Sequence, residues 1–587
     1  MPSSESRTPF SLKLRALLLG AVCLFTAVSG CGRRVVVTSS GESTAGDPTE
    51  QPKDHCEELL KNAIGMTQPD RLGVSTDRRQ VSELFNQWRS DCGGEVALAS
   101  FGDHAKKAFQ PLVSDAEFKA MAEGRISDRD AETLRTAILL KRVGDVVVKP
   151  ADRDIDRINL LFQFVVRNVA LSAPSSEPIP QAPYDILMLG RGSAEERAWL
   201  FAELLRQLRI DAVIVSPSTG AASVPATAKA ENTESKSEQE PAKTDESKPA
   251  VTDNVPWLVG VLLDEPQKPV YLFDMWLGLP IPAPDDKSFP SRPATLEQVV
   301  EKPEVLERLA QENGKYRFAP ESFQSVKVEL ITSADPSLPR LKRLQEVLTG
   351  DDAVVLFDPL DNDEDSPGLV SRVESFGGKR WDKSAVSVWR FPEQSLVASE
   401  HLTDRQQQRQ RIRRHALDAP ISIIPRQTKD DKGQERIEVS FGNPKKTQLK
   451  TRIAQVLGDR KNAVKSYNLV RLDGRLDPRL QPPPEFVRMH ARAEEDAFFW
   501  TGICQFEAEE FDAAASTFRD YLARYPQGEW ADHAREMRAR AFASQQKFAA
   551  AIQSLENLSE ADPARVAHEV LLKTFRGLRE SSEKASE

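Results

Sequence analysis

Residues 190–215 read GRGSAEERAWLFAELLRQLRIDAVIV, a turn, a capped helix and a strand in immediate succession. The rest of the chain is organised around them. Ser193 followed three residues later by Glu196 is a capping-box pattern, in which each side chain satisfies an amide that a helix start leaves unpartnered. Ala194 then takes the first helical position. Ala198, Phe201, Ala202, Leu205 and Leu208 fall on one face, and Trp199, Leu200 and Leu204 widen the stripe until little polar surface remains except Glu203 and Arg206. Such a helix belongs inside a domain. Residues 210–215 are mostly β-branched and apolar, short enough for a core strand, and they follow with almost no loop.

The pattern resembles the nucleophile helix of the transglutaminase-like, papain-related fold, whose usual form is Gly-x-Cys, an Ala-rich and Leu-rich helix, then a strand. Gly192, Ser193 and Ala194 stand at the first three positions, so alanine takes the place of the cysteine. The resemblance implies that a His on one following strand and an Asp at the end of the next would complete a triad. Asp274, closing YLFD at 271–274, matches the acid; the His position falls on Val255, or on Trp257 if the register shifts by two. That chemistry needs a thiolate at a helix N-terminus with an imidazole beside it as base. No cysteine occurs between Cys92 and Cys504 and no histidine between His104 and His401. Catalytic residues are therefore assigned to none, with Ala194, Val255 and Asp274 as the degenerate triad positions. Ser193 is read as an N-cap, because nothing nearby in sequence takes its proton.

At 587 residues the chain predicts several domains, and 40% hydrophobic with 29% charged residues is the composition of folded modules joined by polar linkers. A net charge of -10 excludes a basic nucleic-acid surface; the run 409–414 reads as a solvated helix face. At the N-terminus, Arg7, Lys13 and Arg15 precede an apolar run over 16–28 that is too short to span a bilayer, and the run ends in VSGC at 28–31. That tetrapeptide resembles a bacterial lipobox, which implies cleavage before Cys31 and acylation of its thiol. Gly32 after it implies passage to the outer membrane rather than retention at the inner. Export to an oxidising compartment makes Cys56 and Cys92 candidates for a disulfide: each marks the end of a short helical segment, and antiparallel packing brings the two sulfurs together. Cys504 reads as a buried thiol.

In chain order the expected organisation is a signal peptide (1–30), a disordered tether (31–53), a helical region (54–144), a transglutaminase-like domain (145–290) with a disordered insertion (217–254), a small α/β unit (294–396), a connecting region (397–490) and tetratricopeptide repeats (491–580). The fold class is multidomain α+β. In the α/β unit, strands are expected at 326–331, 354–357 and 386–391, with a helix carrying Leu338, Leu341, Leu344 and Leu348. The acidic run 361–365 resembles the start of a calcium loop, but Ser366 stands where glycine is needed and Arg372 where a bidentate glutamate is needed, so no metal and no cofactor are expected. The C-terminal region carries a repeat. Phe498, Gly502, Phe511, Ala514, Phe518 and Pro526 occupy positions at which a tetratricopeptide repeat places its large, small and turn residues, and Phe548, Ala551, Leu555 and Pro563 repeat the pattern. The three residues beyond the usual repeat length are placed in the QGEW connection at 527–530.

Together these readings predict a non-catalytic, lipid-anchored cell-envelope protein, facing the periplasm, that binds envelope proteins through its repeats beside a pseudo-transglutaminase domain. The alternative is a hydrolase or acyltransferase of that fold with a rearranged site.

Overall fold

In a computed structural model the residues described are 53–92, 101–172, 177–217, 256–419, 423–429, 435–441, 447–473 and 484–586, less 313, 365, 379, 557 and 560. The signal sequence, Cys31, the tether, nearly all of the Ser/Pro/Glu-rich insertion and Val255 lie outside them. Helices α1 (Lys53–Met66) and α2 (Arg78–Cys92) pair at the N-terminus, and Cys56 is disulfide-bonded to Cys92. Helix α3 (Asp128–Val148) opens on a capping box from Ser127 and Asp130. Its Arg135 donates to the Leu72 carbonyl at 3.0 Å and lies over the Tyr184 ring at 3.5 Å, tying the N-terminal helices to the centre.

The central elements follow the periodicity. Helices α4 (Asp154–Asn168) and α5 (Pro183–Leu189) precede α6 (Ala194–Arg206), and α6 is buried along most of its length. Phe162 of α4 and Phe201 of α6 meet Phe273 of the sheet with ring centroids 4.8 to 5.8 Å apart. This aromatic triangle joins helices to sheet. The strands are β1 (Asp211–Pro217), β2 (Leu258–Leu262), β3 (Val270–Asp274), β4 (Leu279–Pro280), β5 (Val326–Leu330) and β6 (Ser387–Val388). They form one six-stranded sheet in the order β4-β3-β2-β1-β5-β6, antiparallel except for the last pair.

That sheet corrects the expected domain break between residues 290 and 294. Val213 registers with Leu330 and Val215 with Val328, so the strand assigned to the separate α/β unit continues the central sheet. Two expected strands are also revised. Residues 354–357 form none, because glutamine side chains satisfy their backbone: Gln207 bonds both the Val355 N–H and its carbonyl at 3.0 Å, and Gln345 accepts from Leu356 and Phe357. The strand expected over 386–391 stops at Val388; helix α7 (Phe391–Glu400) begins at once, with Pro392 preset for a first helical turn. The expected leucine helix is present as Pro339–Val347.

Beyond α7 comes α8 (Asp404–Asp418), then a hairpin of Ile423–Lys429 with Glu435–Phe441. The remainder is helical: α9 (Gln448–Val456), α10 (Arg460–Asp473), α11 (Pro484–Glu507), α12 (Phe511–Arg524), α13 (Ala531–Ser544), α14 (Phe548–Leu555) and α15 (Arg565–Ser586). Each packs on the next, forming a short solenoid. The stacking starts at α9, earlier than the expected start at 491, because α9 and α10 join the row without the small and aromatic signature of the later pairs. Gly502 on α11 is needed for close approach: a Cβ there would lie 2.5 Å from the Phe518 ring of α12.

Candidate functional site

At the head of α6 the capping box is closed. The Ser193 N–H donates to the Glu196 carboxylate at 2.8 Å, and the Ser193 hydroxyl oxygen accepts from the Glu196 N–H at 3.2 Å. Ala194 follows as the first helical residue, buried at 2% exposure. Burial lifts the Glu196 carboxyl to about 7, against the bond from Ser193 and that from Gln181. The carboxylate is directed at the serine backbone, and among the described residues no bond joins it to the serine hydroxyl.

Asp274 lies at the end of β3, fully buried, and accepts four hydrogen bonds. One accepts from the N–H groups of Trp276 and Leu277 and from Arg317, each at 2.9 Å; the other accepts from the Tyr316 hydroxyl at 2.8 Å. This carboxylate holds a turn and anchors the Tyr316 and Arg317 side chains. Trp257 packs against Trp389 with centroids 5.7 Å apart, and its carbonyl accepts from Arg317. The other polar groups near the motif are equally committed: the Tyr184 hydroxyl donates to the Pro69 carbonyl at 2.7 Å, and Asp185 accepts from Arg414 at 2.8 Å. Arg197, one turn into α6, donates to the carbonyls of Val169 and Met275 and ties the helix head to the end of β3.

The solenoid covers this end of the body. Gly190, at φ 67°, brings the backbone so close to Trp530 that a Cβ would sit 3.2 Å from the indole. Arg191 donates to the Glu529 carbonyl at 2.8 Å and its carboxylate at 2.9 Å; His533 bonds the Arg167 carbonyl at 3.1 Å; Arg540 reaches the Gly278 carbonyl at 3.3 Å. Farther along the row, Arg452 of α9 donates to Asn168 and to the Leu187 carbonyl, Asn168 donates to Glu507 of α11, and Lys573 of α15 donates to the carbonyls of Glu307 and Ala310. Every first helix of a pair thus faces the α/β body, as does the closing helix. The polar contacts of α10 and α12 run to solenoid neighbours: Tyr467 to Gln455, Tyr521 to Glu495.

Of the repeat positions, Gly502, Ala514, Phe518, Ala551 and Leu555 are buried between helices. Phe498 lies 6.0 Å from Tyr521 and beneath Arg471, and Phe511 packs on Phe506 at 5.3 Å. Phe548 and Pro563 are half-buried and Pro526 is exposed, all three at or near helix ends. The QGEW segment, read as slack, instead carries the docking residues Glu529 and Trp530. Trp530 is fully buried, stacks on Phe499 at 4.5 Å and donates to Asp496 at 2.7 Å. Behind it lies a buried charge network: Glu536 takes bonds from Arg540 at 2.7 Å, His533 at 3.2 Å and His568 at 3.3 Å, while His568 also bonds Asp562 at 2.6 Å. Burial pushes the His568 ring down, but its two carboxylate partners outweigh that and hold it at about 9. The tryptophan in an unusual connection was the one legible signal for this interface. Cys504 is buried and its thiol is pushed up by burial.

A family model for the tetratricopeptide repeat matches residues 496–528. That segment holds α12 and the C-terminal half of the paired α11, the site where Gly502 meets Phe518. No curated protein and no solved structure matches the chain. A tetratricopeptide repeat suggests protein–protein interaction.

Proposed function

We propose that this protein is a non-catalytic, lipid-tethered scaffold of the bacterial cell envelope, facing the periplasm from the outer membrane, in which a pseudo-transglutaminase body carries a repeat solenoid that binds other proteins. The observation that carries the reading is the repeat matched at 496–528, set on a body whose helix head offers Ala194 where the family places its nucleophile. Because the first helices of the pairs are engaged with the body, partner binding belongs to the outward helices α12 and α14. Arg519, Asp520 and Asp512 are exposed there. The tether follows from the lipobox-like VSGC at 28–31.

The experiment is affinity purification from detergent-solubilised envelopes with the full chain, comparing wild type with Arg519→Glu combined with Asp512→Lys. A stoichiometric partner retained by wild type and lost from the variant is expected; equal recovery, or recovery of none, contradicts the reading. For the anchor, labelling with a fatty-acid analogue is expected in wild type and absent from Cys31→Ala. The enzyme alternative draws on one feature, the buried Glu196 at about 7 beside Ser193. A general base must reach the proton it takes, and the bond from this carboxylate goes to a backbone amide.

A further inference from the structure

A cavity of about 420 Å³ lies along α6, on its second to fourth turns, and neither Ala194 nor Asp274 lines it. It is therefore separate from the degenerate triad. Its volume falls in the range of small-molecule sites. Part of its lining is apolar, from Leu140, Ala137, Trp199, Val355, Leu356 and Leu396. The rest carries six carboxylates against five guanidiniums.

The guanidiniums are already committed. Arg129 is held between Asp335 and Glu393, Arg206 bonds Glu203, Arg414 bonds Asp185, and Arg78 and Arg135 both pair with Glu132. Glu393 adds a further fully buried carboxylate just behind the lining. Glu400, exposed, makes no ion pair with an arginine or lysine among the described residues; its carboxylate groups with that of Glu117 and the ring of His401, their nearest atoms all within 4.8 Å of one another, and His401 pairs with Glu117 at 3.7 Å. The charge left over is negative. Inside, the single Arg129 guanidinium is shared by two buried carboxylates, Asp335 and Glu393, and burial lifts Asp335 to about 6 against the pull of Arg129, with Glu393 adding to the rise. An anion would meet the excess of carboxylate over guanidinium, while a neutral ligand would leave that field unanswered.

We propose that the cavity is a binding site for an alkyl ammonium or guanidinium group, its aliphatic stem along the Trp199 and Leu356 wall and its cation between Asp335 and Glu400. That chemistry is supplied by a free diamine or by a basic side chain of a peptide. Calorimetric titration of the full chain with agmatine and cadaverine, with an end-blocked lysine tripeptide, and with glutarate and 1,5-pentanediol as matched anionic and neutral controls tests it. Saturable binding of one or more of the cationic probes is expected. The tighter of the free amine and the tripeptide names the source. In Glu400→Gln the binding should weaken on the order of tenfold. In Ser399→Trp, which puts bulk at the mouth, it should vanish with the melting midpoint unchanged. Absence of binding by every cationic probe, equal binding of glutarate or the diol, or unaltered affinity in both variants overturns the proposal.

Discussion

Replacing Trp530 by alanine tests whether the solenoid is bonded to the body through the QGEW connection. The indole is fully buried, stacked on Phe499 at 4.5 Å, bonded to Asp496 at 2.7 Å and pressed on Gly190. Truncating a large buried aromatic to alanine costs about 3–5 kcal/mol. Loss of the donor to Asp496 adds about 1 kcal/mol, since Arg492 remains paired with that carboxylate at 2.9 Å. A total of about 5 kcal/mol is comparable with the whole stability of many domains. Trp530→Phe keeps a stacking ring but loses the bond to Asp496 and the indole edge at Gly190, so about 2–3 kcal/mol is expected. Guanidinium titration followed by far-UV circular dichroism and by tryptophan fluorescence reads both. Wild type should lose both signals in one transition, and Trp530→Ala should show an earlier separate step as the solenoid leaves the body. A loss below about 1 kcal/mol with coincident transitions would refute the docking role.

Three further outcomes follow from the same geometry. His568 is raised from 6.5 to about 9 in the fold, so its contribution is complete below pH 6.5 and is lost as pH rises through 9; denaturation midpoints should fall by about 3 kcal/mol over that window in wild type and much less in His568→Gln. Reducing the Cys56–Cys92 disulfide, which closes a sequence separation of 36 residues, should cost about 4 kcal/mol on the chain-entropy model, read as a shifted urea midpoint of the α1–α2 region by hydrogen exchange. Gly502→Val forces a side chain into the Phe518 ring, and a loss of about 2–3 kcal/mol is expected in thermal melts, whereas the exposed Gln553→Ala should be neutral.

Local pattern made the central segment legible: the capping box, the apolar stripe and the β-branched run gave α6 and β1 at their observed places. The small-and-aromatic spacing likewise located α11 to α14. What pattern did not carry was long-range pairing. Val328 and Leu330 alternate like any edge or core strand, and nothing local states that their partner is β1, more than a hundred residues earlier, and not a neighbour in a separate unit. The region 354–357 is as apolar as a strand, yet Gln207 and Gln345 take its backbone bonds from afar. The inner face of the solenoid was hidden for the same reason: no local pattern marks Arg191, Arg452 and Arg540 as bonding to carbonyls and a carboxylate across the interface. At the helix head the capping pattern placed Ala194 at the first helical position, while the four donors on Asp274 come from residues that no local pattern links to it.

The most direct measurement of the proposed lack of chemistry at the head of α6 is intact-mass spectrometry of the purified full chain after incubation with activated acyl donors, with peptide mapping of any adduct. Unchanged mass is expected for wild type and for Ser193→Ala alike. A stoichiometric acyl adduct on Ser193, lost in Ser193→Ala, would contradict it.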